Sequence, residues 1–182
     1  MVAVRGSHLL NPQDFVIEQW CAGLKLAEQT EKSLIDAWYY ARDLMSTHPD
    51  EMKNATLMLQ SGVEMVEILH ELNMDAETLL TAMLFPIVAN KLTDWESLKE
   101  KFGAKITKLL KGVLEMDNIR QLNSSHSANA LQVDNVRRML LAMVDDFRCV
   151  IIKLAERITF LRDAEHRCAE EDKVLAAKEC SY

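Results

Sequence analysis

The stretch QVDNVRRMLLAMVDDFRCVIIKLAERITFLR, residues 132–162, decides the fold class of this chain. No Gly or Pro interrupts it, and its apolar residues recur at the three- and four-residue spacing of an α-helix. The pair Asp145–Asp146 divides it into two apolar stripes, and these carboxylates can accept hydrogen bonds from the free amides of a first helical turn. The stretch therefore predicts two consecutive helices. The second, with a stripe from Phe147 to Leu161, is apolar on most of its circumference and is expected to be central.

The rest of the chain repeats this helical pattern. Helical spacing predicts further helices over residues 12–24, 30–47, 50–61, 63–72, 78–88, 95–102 and 104–116, with a break near Gly62 and a mobile loop over 117–131. Asp75 is expected to cap the very apolar helix 78–88, which Pro86 should kink or end because it lacks an amide donor. Thr93 followed by Glu96 is typical of a capping box. No strand pattern is stronger than these, so the sequence predicts an all-α fold.

Composition limits the classes of function. The net charge of −7 argues against a large nucleic-acid surface, since phosphate binding needs Lys and Arg. The cysteines have no CxxC spacing, which favours a reduced, cytoplasmic chain; they are Cys21, Cys149, Cys168 and Cys180. The first ten residues lack the apolar core of a signal peptide, and no apolar run is long enough to cross a bilayer. We therefore expect a cytoplasmic protein without membrane contact.

A search for catalytic motifs finds no glycine-rich phosphate loop, no G-x-S-x-G and no H-E-x-x-H. The five histidines never lie within one helical turn of each other, which argues against a zinc site. Basic residues on the second helix, such as Arg148 and Lys153, favour ion pairs with Asp146 and Glu156 at helical spacing, with an anion contact as the alternative. The residues alone therefore indicate a helical domain without a self-evident active site.

The central stretch nevertheless resembles the Rel/Spo family, whose members make and hydrolyse (p)ppGpp and whose bifunctional members end this stretch in a KLADRLHN-type motif. Upstream, GVEMVEILHELNMDAETLLTAMLFPIVAN (62–90) is similar to the segment where the hydrolases carry an LLHDVVEDT-type sequence. With KGVLEMD (111–117) and VLAAKEC (174–180), the resemblance covers residues 60–182. The opening MVAVR and the dipeptide Phe85–Pro86 resemble the synthetase-only, RelA-type branch.

This resemblance implies an HD-domain helical bundle. Residues 1–30 would form an N-terminal arm and first helix, and residues 31–164 a degenerate HD domain. Residues 165–182 would form a charged hinge and the start of a helix leading to a synthetase domain. A final helix that stops in mid-pattern is expected of a chain cut from a longer protein.

Active hydrolases of the family hold a divalent metal, usually manganese, with a His, a His–Asp pair and a distant Asp, and a Glu–Asp pair assists. Position by position, these residues correspond to Ser61, Phe85, Pro86, Glu156, Ala89 and Asn90. Phe85 and Pro86 have no side-chain lone pair to give a metal, so the resemblance implies that manganese is lost and the hydrolase is inactive. The Phe85 ring is expected to lie near Ser61 and Glu156, filling the space that the metal occupies in the active enzymes.

The resemblance thus implies a catalytically silent structural and regulatory domain. Its partner in cis would be a synthetase domain that uses magnesium and transfers pyrophosphate from ATP to GTP or GDP. Ribosomes and uncharged tRNA would be contacted through C-terminal domains, without direct nucleic-acid binding here. Two alternatives stay open: a residual metal-dependent (p)ppGpp phosphohydrolase using Glu156, and a nucleotide-sensing or alarmone-sensing module using Arg148, Lys153 and Arg157.

Overall fold

The computed structural model describes residues 15–47, 52–121 and 146–179. All the regular secondary structure of these residues is α-helical, which confirms the predicted all-α class. The helices are α1 (Ile17–Leu24), α2 (Glu28–Ser46), α3 (Met52–Glu71), α4 (Ala76–Ala89), α5 (Trp95–Phe102), α6 (Ala104–Gln121) and α7 (Arg148–Glu179). None of them is long and apolar enough to span a membrane.

The central helix of this bundle is α4. Every residue from Thr78 to Val88 is buried, and α4 contacts α2, α3, α6 and α7. A helix that is apolar on all sides must be covered on all sides, and residues 78–88 carry no charge. The expectation that the helix of residues 148–162 is the central one was therefore wrong.

Both ends of α4 follow the sequence. Asp75 caps the N-terminus by accepting a 3.2 Å hydrogen bond from the amide of Thr78. Pro86 lies in the last turn, and the helix ends three residues later at Ala89, as predicted. The Asn90 side chain then donates a 2.7 Å hydrogen bond to the carbonyl of Pro86. The Asn90 bond fixes the C-terminal end of α4, which carries Phe85 and Pro86.

Helix α3 is continuous, so the predicted break near Gly62 was wrong. Gly62 lies where α3 crosses α4, and a β-carbon there would come within 3.2 Å of the carbonyl oxygen of Met83. Glycine at this position permits close approach of two helices instead of ending one.

The cap of α5 is Asp94 and not Thr93. The Asp94 carboxylate accepts hydrogen bonds from the amide (2.9 Å) and hydroxyl (2.7 Å) of Ser97. The Thr93 hydroxyl lies 2.7 Å from the hydroxyl of Tyr40 on α2. The capping box predicted from Thr93 and Glu96 was therefore wrong by one residue.

Helix α7 begins close to the predicted boundary. Asp146 accepts a 3.1 Å hydrogen bond from the amide of Arg148, the first residue of the helix. The helix predicted before it, over 132–144, and the loop residues 122–131 lie outside the described residues. Residues 117–121 belong to α6, so the loop prediction was wrong for them.

The buried face of α7 differs from the predicted stripe. Over residues 148–163, where side-chain burial is described, the side chains that α7 buries are Cys149, Ile152, Ala155 and Thr159. Four residues of the predicted stripe are exposed instead: Phe147, Leu154, Ile158 and Leu161. The helix then continues without a break to Glu179, where a hinge after residue 164 had been expected. The division into regions 1–30, 31–164 and 165–182 stays a prediction.

Candidate functional site

Helices α3, α4 and α7 enclose a cavity of about 300 Å³. Its lining includes every position that corresponds to a hydrolase residue: Ser61, Phe85, Pro86, Ala89, Asn90 and Glu156. Residues from three separate parts of the sequence therefore meet in one pocket, which we call the α3–α4–α7 pocket.

Seven further residues line this pocket and are not among the positions named from the motif resemblance. They are Leu57, Met58, Gln60, Glu64, Thr159, Phe160 and Asp163. Helical spacing is the signal that predicts them, because residues three, four and seven positions apart share one face of a helix. Leu57 and Met58 precede Ser61 by four and three residues, and Thr159, Phe160 and Asp163 follow Glu156 by three, four and seven residues.

The Phe85 side chain forms a wall of the pocket. It is only 3 % exposed, and the Nζ atom of Lys153 lies 5.3 Å from the centre of its ring. Ser61 and Glu156 line the same pocket, as expected. The ring does not fill the space, however, because the cavity remains open beside it.

Polar groups around the pocket bind one another. The hydroxyl of Ser61 lies 3.5 Å from that of Thr159, which donates a 2.8 Å hydrogen bond to the carbonyl of Glu156. On α3, the amide of Gln60 donates a 2.9 Å hydrogen bond to the buried carboxylate of Glu64. The Ser61–Thr159 contact links α3 to α7 across the pocket, and the other two bonds each lie within one helix.

Glu156 corresponds to the distant metal ligand, and it is ion-paired. The Nζ atom of Lys153 lies 2.8 Å from its carboxylate, one helical turn away on α7, as the spacing predicted. Glu64 and Asp163 add two further carboxylates to the lining. Within residues 15–47, 52–121 and 146–179, no three His, Cys, Asp or Glu side chains are placed to hold a metal ion.

The residues present therefore do not fit the manganese of the active hydrolases. Manganese prefers carboxylate and imidazole ligands with free lone pairs, and Phe85 and Pro86 offer none. Ser61 supplies at most a hydroxyl, which lies against Thr159.

The pocket also has a distinct charge. Three carboxylates line it, and no Lys, Arg or His does so among the residues described. Lys153 lies beside the pocket, where it pairs with Glu156 and lies over the ring of Phe85. Such a lining repels an anionic polyphosphate.

A second charged cluster lies at the other end of α4. The guanidinium of Arg148 contacts Asp146 at 2.6 Å, Asp75 at 2.6 Å and Glu77 at 3.0 Å. The pair with Asp146 was predicted, whereas Asp75 and Glu77 are too far away in sequence for spacing to show. This cluster, which we call the Arg148 clamp, ties the first turn of α7 to the first turn of α4.

The Arg148 clamp changes the acidity of its carboxyl groups. Hydrogen bonds from Arg148 lower the pKa of Asp146, against the smaller opposite effect of partial burial. Burial alone would raise the pKa of Asp75, but hydrogen bonds from Thr78 and the charge of Arg148 lower it. Hydrogen bonds to Asp146 and Glu77 raise the pKa of Arg148, and the bond to Asp146 has the larger effect. Asp75, Asp146 and Arg148 are therefore charged at neutral pH.

Comparison of the sequence with known proteins shows which proteins this chain is similar to. The sequence profile described as "HD domain" matches residues 37–182. The chain is 97 % identical, over all 182 residues, to a GTP pyrophosphokinase of Haemophilus influenzae. It is 47 % identical, over 184 aligned positions that include all of it, to a GTP pyrophosphokinase of Escherichia coli. A bifunctional (p)ppGpp synthase/hydrolase SpoT of Escherichia coli is 29 % identical over 138 residues, which are 75 % of this chain and 19 % of that protein. The chain spans 24 % of the length of each of the two pyrophosphokinases. Because the profile covers most of its length, the chain belongs to the HD domain family.

Proposed function

We propose that this chain is the HD domain of a RelA-type GTP pyrophosphokinase, a transferase, and that the domain itself does not hydrolyse (p)ppGpp. Its role is structural and regulatory, towards a synthetase domain that transfers pyrophosphate from ATP to GTP or GDP. The similarity to two GTP pyrophosphokinases over the whole of this chain supports the assignment to that parent.

One observation carries the proposed loss of hydrolysis. The α3–α4–α7 pocket is lined by Phe85 and Pro86, at the positions where the resemblance implies the His–Asp pair of an active hydrolase. Without two of the strongest ligands, a metal cannot be held in the open geometry that activates water. The remaining pocket binds no hydroxide-generating metal and keeps only its scaffold.

The direct test is an assay of 3′-pyrophosphate release. The full-length parent and this chain are each incubated with (p)ppGpp and Mn²⁺, with a bifunctional SpoT-type enzyme as the positive control. We expect release by the control alone. Release by this chain above the rate without protein would overturn the proposal.

A residual metal-dependent phosphohydrolase is the second candidate function. The acidic lining is the observation in its favour, because hard divalent metals accept carboxylate ligands, although Glu64, Glu156 and Asp163 are not placed to hold one ion together. Calorimetric titration with Mn²⁺ separates the two proposals. Tight binding that is lost in Glu156→Ala would support the phosphohydrolase.

A nucleotide or alarmone sensor is less well supported. The pocket lining is acidic, and none of the three basic residues considered for it is among the lining residues. Arg148 lies in its clamp, Lys153 pairs with Glu156, and the guanidinium of Arg157 lies 5.0 Å above the ring of Phe160. Saturation-transfer NMR with ppGpp, GDP and ATP is expected to show no contact with this chain. A signal from any of them would revive the sensor.

The partners follow from the same proposal. The synthetase domain is the partner in cis, and magnesium belongs to that domain. Ribosomes and uncharged tRNA are contacted by other parts of the parent, in the cytoplasm, without membrane or nucleic-acid binding by this domain. Crosslinking of the full-length parent on stalled ribosomes tests this, since crosslinks from α1–α7 to RNA would contradict it.

A further inference from the structure

The ammonium of Lys153 contacts two of the positions that correspond to metal ligands. Its Nζ atom lies 2.8 Å from the carboxylate of Glu156, which corresponds to the distant Asp. The same atom lies 5.3 Å from the centre of the Phe85 ring, which corresponds to the His of the His–Asp pair. A cation within about 6 Å of a ring centre is attracted by the face of the ring. A positive charge from the protein itself therefore lies against both positions.

This charge is largely removed from water. The Lys153 side chain is 14 % exposed and that of Glu156 is 26 % exposed, and the Phe85 ring is buried. A charge in such surroundings is costly unless a partner balances it, and removal of one partner leaves the other unbalanced. The pair therefore differs from a solvated surface ion pair, which contributes little.

The charges at the corresponding positions balance without a metal. The ligand set that the resemblance implies for the active hydrolases contains two carboxylates, and a divalent ion brings two positive charges. In this chain only Glu156 keeps a carboxylate, since Ser61, Phe85 and Pro86 are uncharged. One ammonium matches one carboxylate, whereas a divalent ion would leave a positive charge in excess at these positions.

The lysine itself does not distinguish this chain from the active hydrolases. Residues 153–160 read KLAERITF, so Lys153 corresponds to the first residue of the KLADRLHN-type motif. The two groups that it contacts are the difference. Glu156 is one methylene longer than an aspartate, and Phe85 presents a π face where a histidine would present a ring nitrogen. Both changes suit contact with an ammonium instead of a metal.

We infer that the ammonium of Lys153 takes over the charge and the bridging role of the lost metal. It neutralises Glu156 on α7 and binds the ring of Phe85 on α4, so that the two helices are joined without a divalent ion. This inference rests on the proposed function, since it takes the pocket to be an inactive form of the hydrolase site. It makes Lys153 a positioning residue of the α3–α4–α7 pocket.

The variant Lys153→Met tests this role, because it removes the charge and keeps an apolar side chain of similar length. Thermal unfolding followed by circular dichroism should show a midpoint lower by about 3–8 °C, since Glu156 loses its cation. Millimolar Mn²⁺ should then raise the midpoint of the variant by about 2–4 °C, since an ion that binds only the folded state stabilises it. The midpoint of the unmodified chain should change by less than about 1 °C with Mn²⁺ or with a chelator.

Two further variants separate the charge of Lys153 from its packing. Lys153→Arg keeps the charge and should respond to Mn²⁺ no more than the unmodified chain does. Lys153→Met with Glu156→Gln removes both charges, so it should recover most of the lost midpoint and lose the response to Mn²⁺. A double variant no more stable than Lys153→Met would overturn the inference. Equal responses to Mn²⁺ in all variants and in the unmodified chain would also overturn it.

The inference stays testable if Lys153→Met does not fold by itself. Folding on addition of Mn²⁺ is then the expected result, and failure to fold both with and without Mn²⁺ would overturn the inference. Release of pyrophosphate from (p)ppGpp by the unmodified chain, measured in the same buffer, tests the proposed function separately. No release together with equal responses to Mn²⁺ would refute the inference alone. Release by the unmodified chain would refute the proposed function, whatever the responses to Mn²⁺.

Discussion

The sulfur of Cys149 on α7 lies directly over Gly112 on α6, so that a β-carbon at Gly112 would come within 2.6 Å of it. Cys149 is buried, and its sulfur lies 3.8 Å from the carbonyl oxygen of Leu109. The two helices can approach this closely only because residue 112 has no side chain. Gly112 therefore sets the distance between α6 and the start of α7.

Gly112→Ala should destabilise the chain by about 1–3 kcal/mol, since overpacking of a well-packed contact forces side chains or backbone to shift. Urea denaturation followed by circular dichroism measures the change. Adding Cys149→Ala should recover part of the loss by removing the clashing sulfur. Gly23→Ala is the control: a β-carbon there meets nothing within 4 Å, so helix propensity should make it neutral or stabilising by up to about 1 kcal/mol. Equal losses at Gly112 and Gly23 would contradict the close contact.

Arg148→Met should cost about 1–3 kcal/mol at pH 7, because it leaves Asp75 and Asp146 close together without their cation, while Glu77 keeps its ion pair with Lys105 at 3.3 Å. The estimate is below that for a buried pair, since the clamp is partly exposed. Lys99→Met, on the exposed surface of α5, should change the free energy of unfolding by less than about 0.5 kcal/mol. A loss at Arg148 no larger than at Lys99 would show that the clamp contributes nothing.

The clamp also predicts a dependence of stability on pH. The folded-state pKa values of Asp75 and Asp146 are lowered, so their ionised forms stabilise the fold. This contribution is complete above the unfolded carboxyl pKa of about 3.9 and is lost as the pH falls through the lower folded values. The difference in unfolding free energy between the unmodified chain and Arg148→Met should therefore shrink between pH 5 and pH 2, to within about 0.5 kcal/mol. A difference independent of pH would exclude these two carboxyl groups as its source.

Restoring the ligand types should restore metal binding. The variant Ser61→His, Phe85→His, Pro86→Asp and Glu156→Asp should bind Mn²⁺ about tenfold or more tightly than the unmodified chain, by electron paramagnetic resonance of free Mn²⁺. The matched control carries the same changes except Phe85→Leu, and it should bind no better than the unmodified chain. If both variants bind equally, Phe85 does not occupy the position of a metal ligand.

Two neighbouring residues test which face of α7 is buried. Ile152 is fully buried, and Leu154 is 58 % exposed. Ile152→Ala should cost about 2–5 kcal/mol, whereas Leu154→Ala should stay within about 0.5 kcal/mol in this chain. Urea denaturation of the two variants decides the matter. A larger loss for Leu154→Ala than for Ile152→Ala would contradict this burial and support the face that helical periodicity alone predicted.

The sequence was a sufficient guide where one pattern dominated. The apolar run of α4 with Asp75 before it and Pro86 near its end predicted a buried helix with both of its boundaries. The motif resemblance then named six positions on three helices, and all six line one pocket. The motif resemblance locates the pocket because residues that form one site in a family must face the same cavity.

The rest depended on tertiary packing. Apolar residues lie around most of α7, so periodicity offered two possible inner faces, and contact with α3 and α6 selects the one with Ile152. The sequence pattern indicated Thr93 as a helix cap, but its hydroxyl lies against the hydroxyl of Tyr40, and the neighbouring Asp94 caps α5 instead. Gly62 was interpreted as a helix break because the local sequence does not show that the backbone of α4 packs against it at Met83.

The unbroken course of α7 has a mechanical consequence. Its 32 residues form a rod roughly 48 Å long, without a joint where a hinge had been expected. Glu156 and Thr159 on one side of this rod line the pocket, while Leu154 and Ile158 face outward within the same turns. Because both faces belong to the same turns, a displacement of the outer face of α7 would also move the wall of the pocket. The contacts of Ser61 with Thr159 and of Arg148 with Asp75 and Glu77 tie these turns to α3 and α4.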